Sequence, residues 1–243
     1  MLSFVAILVL GFFLGMRHAT DPDHVVAITT IVTRQHGVTK AGLIGALWGL
    51  GHTFTIFVVG TVIILFRVTI PPRIGLSMEL VVAAMLILLG VLNLTGVLQS
   101  LQEKISPNST NTGNSPSAAS GQSLTALSQG LGRYNALRPL IIGIVHGLAG
   151  SAAVALLVMT TIHDPWWSIA YLLLFGIGTV AGMMLITAAI AMPFAFAARK
   201  FSGWHRRMAV ASGLLSIFFG LCLSYQIGFA EGLFTLSPQW TPR

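Results

Sequence analysis

Arg17-His18-Ala19-Thr20-Asp21-Pro22-Asp23-His24 gathers two imidazoles, two carboxylates and a guanidinium into one short stretch. The chain around it is 55% hydrophobic and only 8% charged. Ionisable groups set that deep in apolar sequence cost several kcal/mol each unless paired or bound, so they mark a functional site. Two imidazoles with a carboxylate suit Ni²⁺, Co²⁺, Zn²⁺ or Cu²⁺, whereas Mg²⁺ and Ca²⁺ prefer oxygen ligands throughout. His18, Asp23 and His24 are therefore the leading candidate metal ligands. Asp21 is a fourth, with a competing role as a helix N-cap paired to Arg17 at i, i+4. That role explains Asp21 but leaves the other three without a function.

Two further histidines belong with this group. His52 stands in Gly49-Leu50-Gly51-His52-Thr53, where the glycines permit close backbone approach; it reads either as a ligand or as a hydrogen-bonded packing residue. His146, in His146-Gly147-Leu148-Ala149-Gly150-Ser151, reads as lining of a metal pathway or as a support for the ligands before it reads as a ligand itself. His36, His163 and His205 fall in predicted loops. Glu79 reads as an interfacial charge or as an attractor at a pore mouth, and Asn93 as a bond to a neighbouring helix.

The elements that must position these residues are helices. A mean hydropathy of +0.86 over 243 residues belongs to a polytopic membrane protein. Several apolar runs exceed the roughly 20 residues that span a bilayer core. Six spans can be drawn, at about 2–33, 41–66, 76–98, 138–162, 166–197 and 208–234, so the predicted fold is all-α with about six transmembrane helices. Pro22 cannot donate a backbone hydrogen bond and clashes with the preceding turn. The first span is therefore expected to be discontinuous at Asp21-Pro22, with Asp21 as N-cap and Pro22 opening the second piece. Residues 2–15 lack a basic leader and a small-residue cleavage site, so they read as a retained span and not as a signal peptide.

Charge and cysteine usage narrow the classes. The net charge of +7 is spread between apolar runs instead of forming a stripe, which fits a membrane topology and not nucleic-acid binding. The one cysteine, Cys222, excludes an internal disulfide and a cysteine-rich metal site. Arg34, Lys40, Lys104, Arg133, Arg138, Arg199, Lys200, Arg206 and Arg207 fall on one side of the predicted topology, and Arg67, Arg73 and Arg243 on the other. The positive-inside bias makes the first side cytoplasmic and leaves both termini outside the plasma membrane. Residues 99–136, rich in Ser, Asn, Thr, Gly and Pro, read as a disordered cytoplasmic linker.

The linker divides the chain into 1–98 and 137–243, and the two parts resemble each other. Gly15-Met16-Arg17-His18 lies on Gly143-Ile144-Val145-His146. Leu47-Trp48-Gly49-Leu50-Gly51 matches Leu174-Phe175-Gly176-Ile177-Gly178, and Leu89-Gly90-Val91-Leu92 matches Phe219-Gly220-Leu221-Cys222. Repeats of three spans must insert with opposite orientations, so the expectation is two inverted three-helix repeats with substrate held near their interface. Only the first repeat carries the carboxylates, because Asp21 and Asp23 fall on Ala149 and Ser151.

Arg17 through Val25 resembles the R-H-A-x-D-A-D-H-[IL] signature of the nickel/cobalt transporter (NiCoT/NicO) family, with Pro22 where that signature has Ala. Leu50-Gly51-His52-Thr53 resembles the family's second motif, built on G-H-[ST]. The family's Asp- and Glu-bearing third motif is absent, as in its shorter six-span branch, which includes urease accessory proteins. The resemblance implies a permease that carries Ni²⁺ or Co²⁺ as substrate, with recognition resting on His18, Asp23 and His24 and a contribution from His52. It implies no prosthetic group and no enzyme activity. Nickel-enzyme maturation proteins become candidate partners, beside the metal ion and the bilayer.

Uptake driven by membrane potential or an ion gradient is the leading reading, since the chain has no G-x4-G-K-[ST] phosphate loop. Efflux is the first alternative; a linker without histidine favours uptake. A non-transporting accessory that delivers nickel to an enzyme is the second. A membrane metalloenzyme would need a spare general acid or base, for which no clear candidate exists.

Overall fold

Pro22 divides the first apolar stretch into two helices. In the computed structural model, α1 runs over Phe4–His18 and α2 over Pro22–Val32. Between them the amides of Thr20 and Asp21 reach back only three residues, to the carbonyls of Arg17 (2.8 Å) and His18 (3.1 Å), which tightens the end of α1. The first α-helical bond of α2 is Val25 N–H to the Asp21 carbonyl, 3.0 Å. At about 1.5 Å per residue, α1 and α2 are about 22 and 16 Å long, so neither alone crosses a core of about 30 Å.

The remaining helices are α3 (Val38–Phe66), α4 (Pro72–Thr95), α5 (Leu137–Leu148), α6 (Pro165–Lys200) and α7 (Trp204–Tyr225), the last continuing as a π-helical turn over Gln226–Ala230. The structure describes residues 4–33, 37–67, 70–95, 137–148, 162, 164–200 and 204–240. No strand occurs among these residues. Among the described residues, four stretches are long and apolar enough to cross a membrane: Val38–Phe66, Pro72–Thr95, Pro165–Phe196 and Arg207–Ala230. The segment expected as a linker, 99–136, lies outside the described residues, as does the second half of the span expected at 138–162.

The span expected to reach 234 ends earlier. Leu233 and Phe234 continue the apolar run, but Gly232 takes φ +79°, a left-handed conformation that glycine adopts without strain. The chain reverses there, and Gln239 N–H closes the reversal on the Glu231 carbonyl at 2.9 Å. The C-terminal segment then packs Leu233 and Trp240 against Leu76, Ala83 and Ile227.

The extensive helix contacts are of α6 with α1 and α3, and of α4 with α7; α2 touches α4, α6 and α7 more lightly. Several approaches are close enough to require glycine. A β-carbon on Gly15 would collide with the Phe175 carbonyl, and one on Gly178 with the Phe12 carbonyl. Across α3 and α5, a β-carbon on Gly143 would collide with the Trp48 carbonyl, and one on Gly51 with the Leu140 carbonyl. Between α4 and α7, Gly90 faces the Gly213 carbonyl and Gly220 faces the Ala83 carbonyl. Small residues let helix backbones meet in this way where lipid supplies no hydrophobic drive.

Polar cross-ties reinforce the packing. Thr53 Oγ1 donates to the Gly176 carbonyl (3.0 Å), Thr55 Oγ1 to Ile144 (3.0 Å) and Ser216 Oγ to Leu86 (2.7 Å). Asn93 Nδ2 donates to the Ala209 carbonyl at 2.9 Å, the neighbouring-helix bond expected of it. Trp48, Ile28, Leu86 and Met183 fill the interior, while Phe13, Phe54, Leu88, Phe196 and Phe218 point outward. An apolar exterior of this kind suits contact with lipid.

Candidate metal centre

The break between α1 and α2 opens onto a cavity of about 350 Å³. Among the described residues, four histidines and three acidic residues line it: His18, His24, His52 and His146, with Asp21, Asp23 and Glu79. All six residues singled out as metal candidates therefore converge, from four helices and the turn between α1 and α2. His18 ends α1, His24 and Asp23 lie in the first turn of α2, His52 is at the middle of α3, and His146 lies in α5. His24, His52 and His146 are 2%, 0% and 2% exposed, so water does not satisfy their rings.

The carboxylates orient the imidazoles. Asp21 occupies the N-cap position of α2 but makes no side-chain cap bond. Its Oδ2 instead accepts from His18 Nδ1 at 2.6 Å. The pairing of Asp21 with Arg17 weighed from the sequence does not form, and no ion pair involves Arg17 among the described residues. Asp23 bridges two rings, with Oδ1 accepting from His24 Nδ1 and Oδ2 from His146 Nε2, each at 2.9 Å.

Assigning protons from these partners leaves lone pairs at defined positions. A neutral imidazole that donates through one nitrogen offers the other as a ligand. His18 and His24 thus present Nε2. His18 Nε2 lies 3.1 Å from His52 Nε2, and the ligand atoms of His18, His24 and His52 all lie within 4.8 Å of one another. Two ligands about 2.1 Å from one ion are at most about 4.2 Å apart, so a small contraction closes this set on a metal. His24 Nε2 is buried without a partner in the described protein, and so are Nδ1 of His52 and Nδ1 of His146. Each such atom costs about 1–3 kcal/mol unless a ligand satisfies it. Asp23, His24 and His146 form a second convergent set that shares His24.

One feature of the site was not read from sequence. Trp48 stacks on His24 with ring centroids 5.6 Å apart and meets His146 edge-on at 5.5 Å. Its spacing of four from His52, which puts both on one helix face, is the available signal. Glu79 was weighed as an attractor or an interfacial charge; it lines the cavity, and its Oε1 accepts from Trp240 Nε1 at 2.8 Å. Trp240 thereby ties the C-terminal segment to the rim of the same cavity.

A family model, NicO, described as high-affinity nickel-transport protein, matches residues 4–241. The chain belongs to the NicO family. Its description is that of a transport family and not of enzymes, and with the apolar helices above it makes this a multi-pass membrane protein. The chain is also 36% identical over 232 residues to the urease accessory protein UreH of Bacillus sp. (strain TB-90), covering 96% of each chain. No solved structure matches it. Nickel as cargo agrees with a donor set rich in imidazole nitrogen.

Proposed function

We propose that this NicO protein is a permease that carries Ni²⁺, and by the same donor chemistry Co²⁺, inward across the plasma membrane. The observation that carries the reading is the convergence of His18, His24 and His52, with the Nε2 atoms of His18 and His24 left unprotonated by the carboxylates that hold their Nδ1 atoms. In this reading the three imidazoles hold the cargo. Asp21 and Asp23 fix ring orientation and basicity, as carboxylates behind metal-bound histidines do. His146 completes the lining from α5.

The scaffold of the proposed transport is a pair of inverted repeats, 1–98 and 137–243, joined by a cytoplasmic linker. Reciprocal contacts support it. Gly15 meets Phe175 and Gly143 meets Trp48; the sequence comparison pairs Gly15 with Gly143 and Trp48 with Phe175. Gly90 meets Gly213 while Gly220 meets Ala83, again with the roles exchanged between the halves. A twofold relation between repeats produces this exchange, and carriers of that design bind cargo at broken helices near the centre. The cavity lies between two groups of helices. One, α1, α3, α5 and α6, carries His18, His52 and His146; the other, α2, α4 and α7, carries Asp23, His24 and Glu79. Rocking one group against the other would open the cavity to alternate sides, with the turn at 19–21 as hinge.

Membrane potential is sufficient to drive uptake. Each charge moving inward gains about 2.3 kcal/mol per 100 mV. A divalent ion gains about 4.6 kcal/mol, equivalent to a concentration ratio above about 10³. The relative named as a urease accessory protein supports a downstream role, supplying nickel to the maturation of a nickel enzyme. Labelled-nickel uptake in cells tests the proposal: His18→Ala and His24→Ala should each abolish uptake. Uptake at the unaltered rate in both would refute it.

A further inference from the structure

His24 belongs to both ligand sets, and its two ring nitrogens stand in different situations. Its Nδ1 is bonded to Asp23, whose other carboxylate oxygen holds His146, while its Nε2 is buried without a partner in the described protein and is free for the set with His18 and His52. The nitrogens of an imidazole point to opposite sides of the ring, and a neutral ring carries its proton on only one of them. We propose that the cavity contains two nickel stations that share His24 and are occupied one at a time, the ion passing from one to the other during transport. This rests on the reading of the cavity as the nickel site.

The first station is His18, His24 and His52, all imidazole. The second is Asp23, His24 and His146, two imidazoles and a carboxylate. In the structure as it stands the second is closed by its own hydrogen bonds, His24 Nδ1–H and His146 Nε2–H each held on Asp23 at 2.9 Å. Nickel entering it takes the place of those two protons. The other nitrogen of each ring, His24 Nε2 and His146 Nδ1, is buried and without a partner in the described protein, so each can accept the displaced proton and the net proton count is unchanged. His24 cannot keep a proton and bind at both nitrogens, which makes the stations alternatives and not a two-metal centre.

The helices give this exchange a mechanical meaning. His18 and His52 belong to α1 and α3, and His146 to α5, while Asp23 and His24 ride together on α2. A shift of α2 across the faces of α1, α3 and α5 would trade His18 and His52 for Asp23 and His146, the ion leaving His24 Nε2 for Nδ1 as the ring's proton moves the other way.

The test is nickel binding to the purified full-length protein, read by equilibrium dialysis for stoichiometry and by nickel X-ray absorption for the ligand set. Wild-type protein should bind one Ni²⁺. His52→Ala should keep a bound ion with a carboxylate oxygen in its ligand set, and His146→Ala should keep one with nitrogen-only protein ligands. Both single variants should lose transport, and His52→Ala/His146→Ala should lose binding. If the alanine variants fail to fold, His52→Gln and His146→Gln keep the side-chain volume and carry the same comparison. Two ions bound at once by the wild type, identical spectra from the two single variants, or loss of binding in either single variant as complete as in the double would overturn the two stations. Absence of any nickel binding by the wild-type protein would instead overturn the underlying reading of the cavity.

Discussion

His18 Nε2 and His52 Nε2 face each other at 3.1 Å, from helices whose positions differ by 34 residues in sequence. His18 is fixed from behind by Asp21, so its facing nitrogen carries the lone pair, and His52 donates to it when no cation lies between them. A cation between them would take both nitrogens, the His52 proton moving to Nδ1 of the same ring, which is buried without a partner in the described protein. His24 stands beside this pair, with ring centroids 4.7 Å from His18 and 5.0 Å from His52. Because His24 belongs to both ligand sets, His24→Ala should weaken nickel affinity more than His18→Ala or His52→Ala. Equilibrium dialysis of the three purified variants checks the order.

Asp21 separates a capping role from an orienting one. Asn caps a helix about as well as Asp, so Asp21→Asn leaves a pure cap intact. The carboxylate on His18 Nδ1 at 2.6 Å points to a different outcome: nickel affinity falls about 10- to 100-fold with the fold retained. Arg17→Ala, in contrast, should leave affinity unchanged. Calorimetric titration of both variants distinguishes the two roles.

The reciprocal glycine contacts make a paired prediction. Gly15→Ala and Gly143→Ala each push a β-carbon into a carbonyl of the facing helix, Phe175 and Trp48 respectively. Each should destabilise the protein by about 1–3 kcal/mol through overpacking. The two losses should be of similar size if the proposed repeats make the contacts counterparts. Thermal unfolding in detergent, followed by intrinsic fluorescence, measures them.

At the rim, Trp240→Phe keeps an aromatic ring over Gly75 but removes the N–H that Glu79 accepts at 2.8 Å. The loss of one such bond is worth about 1 kcal/mol, close to a fivefold change in a local opening equilibrium. Amide hydrogen exchange over residues 231–240 should quicken by about that factor, and exchange in α3 should not change.

What could be read from sequence follows the range of the physics involved. Pro22 acts on its own turn, so the break between α1 and α2 was legible at once. The apolar runs placed the long helices to within a few residues, because bilayer thickness sets their length. The end of α7 was not legible, since Leu233 and Phe234 extend the hydrophobic run past Gly232, whose backbone reverses the chain. His52 and His146 could be nominated but not located, because only the packing of α3 and α5 brings them to His24. Asp21 was ambiguous for a geometric reason. The same spacing that makes it an N-cap of α2 also puts it one turn from His18, and only coordinates distinguish the two bonds. Trp48 passed unnoticed because an aromatic residue in an apolar helix is ordinary until its neighbours are known.

The most direct measurement is ⁶³Ni²⁺ accumulation by purified protein in liposomes with an imposed inside-negative potential. Wild-type protein should concentrate nickel inside above the level of protein-free liposomes, the accumulation should collapse when the potential is dissipated, and His24→Ala should show none. Accumulation by His24→Ala equal to that of the wild type, or none by the wild type itself, would contradict transport through the histidine cavity.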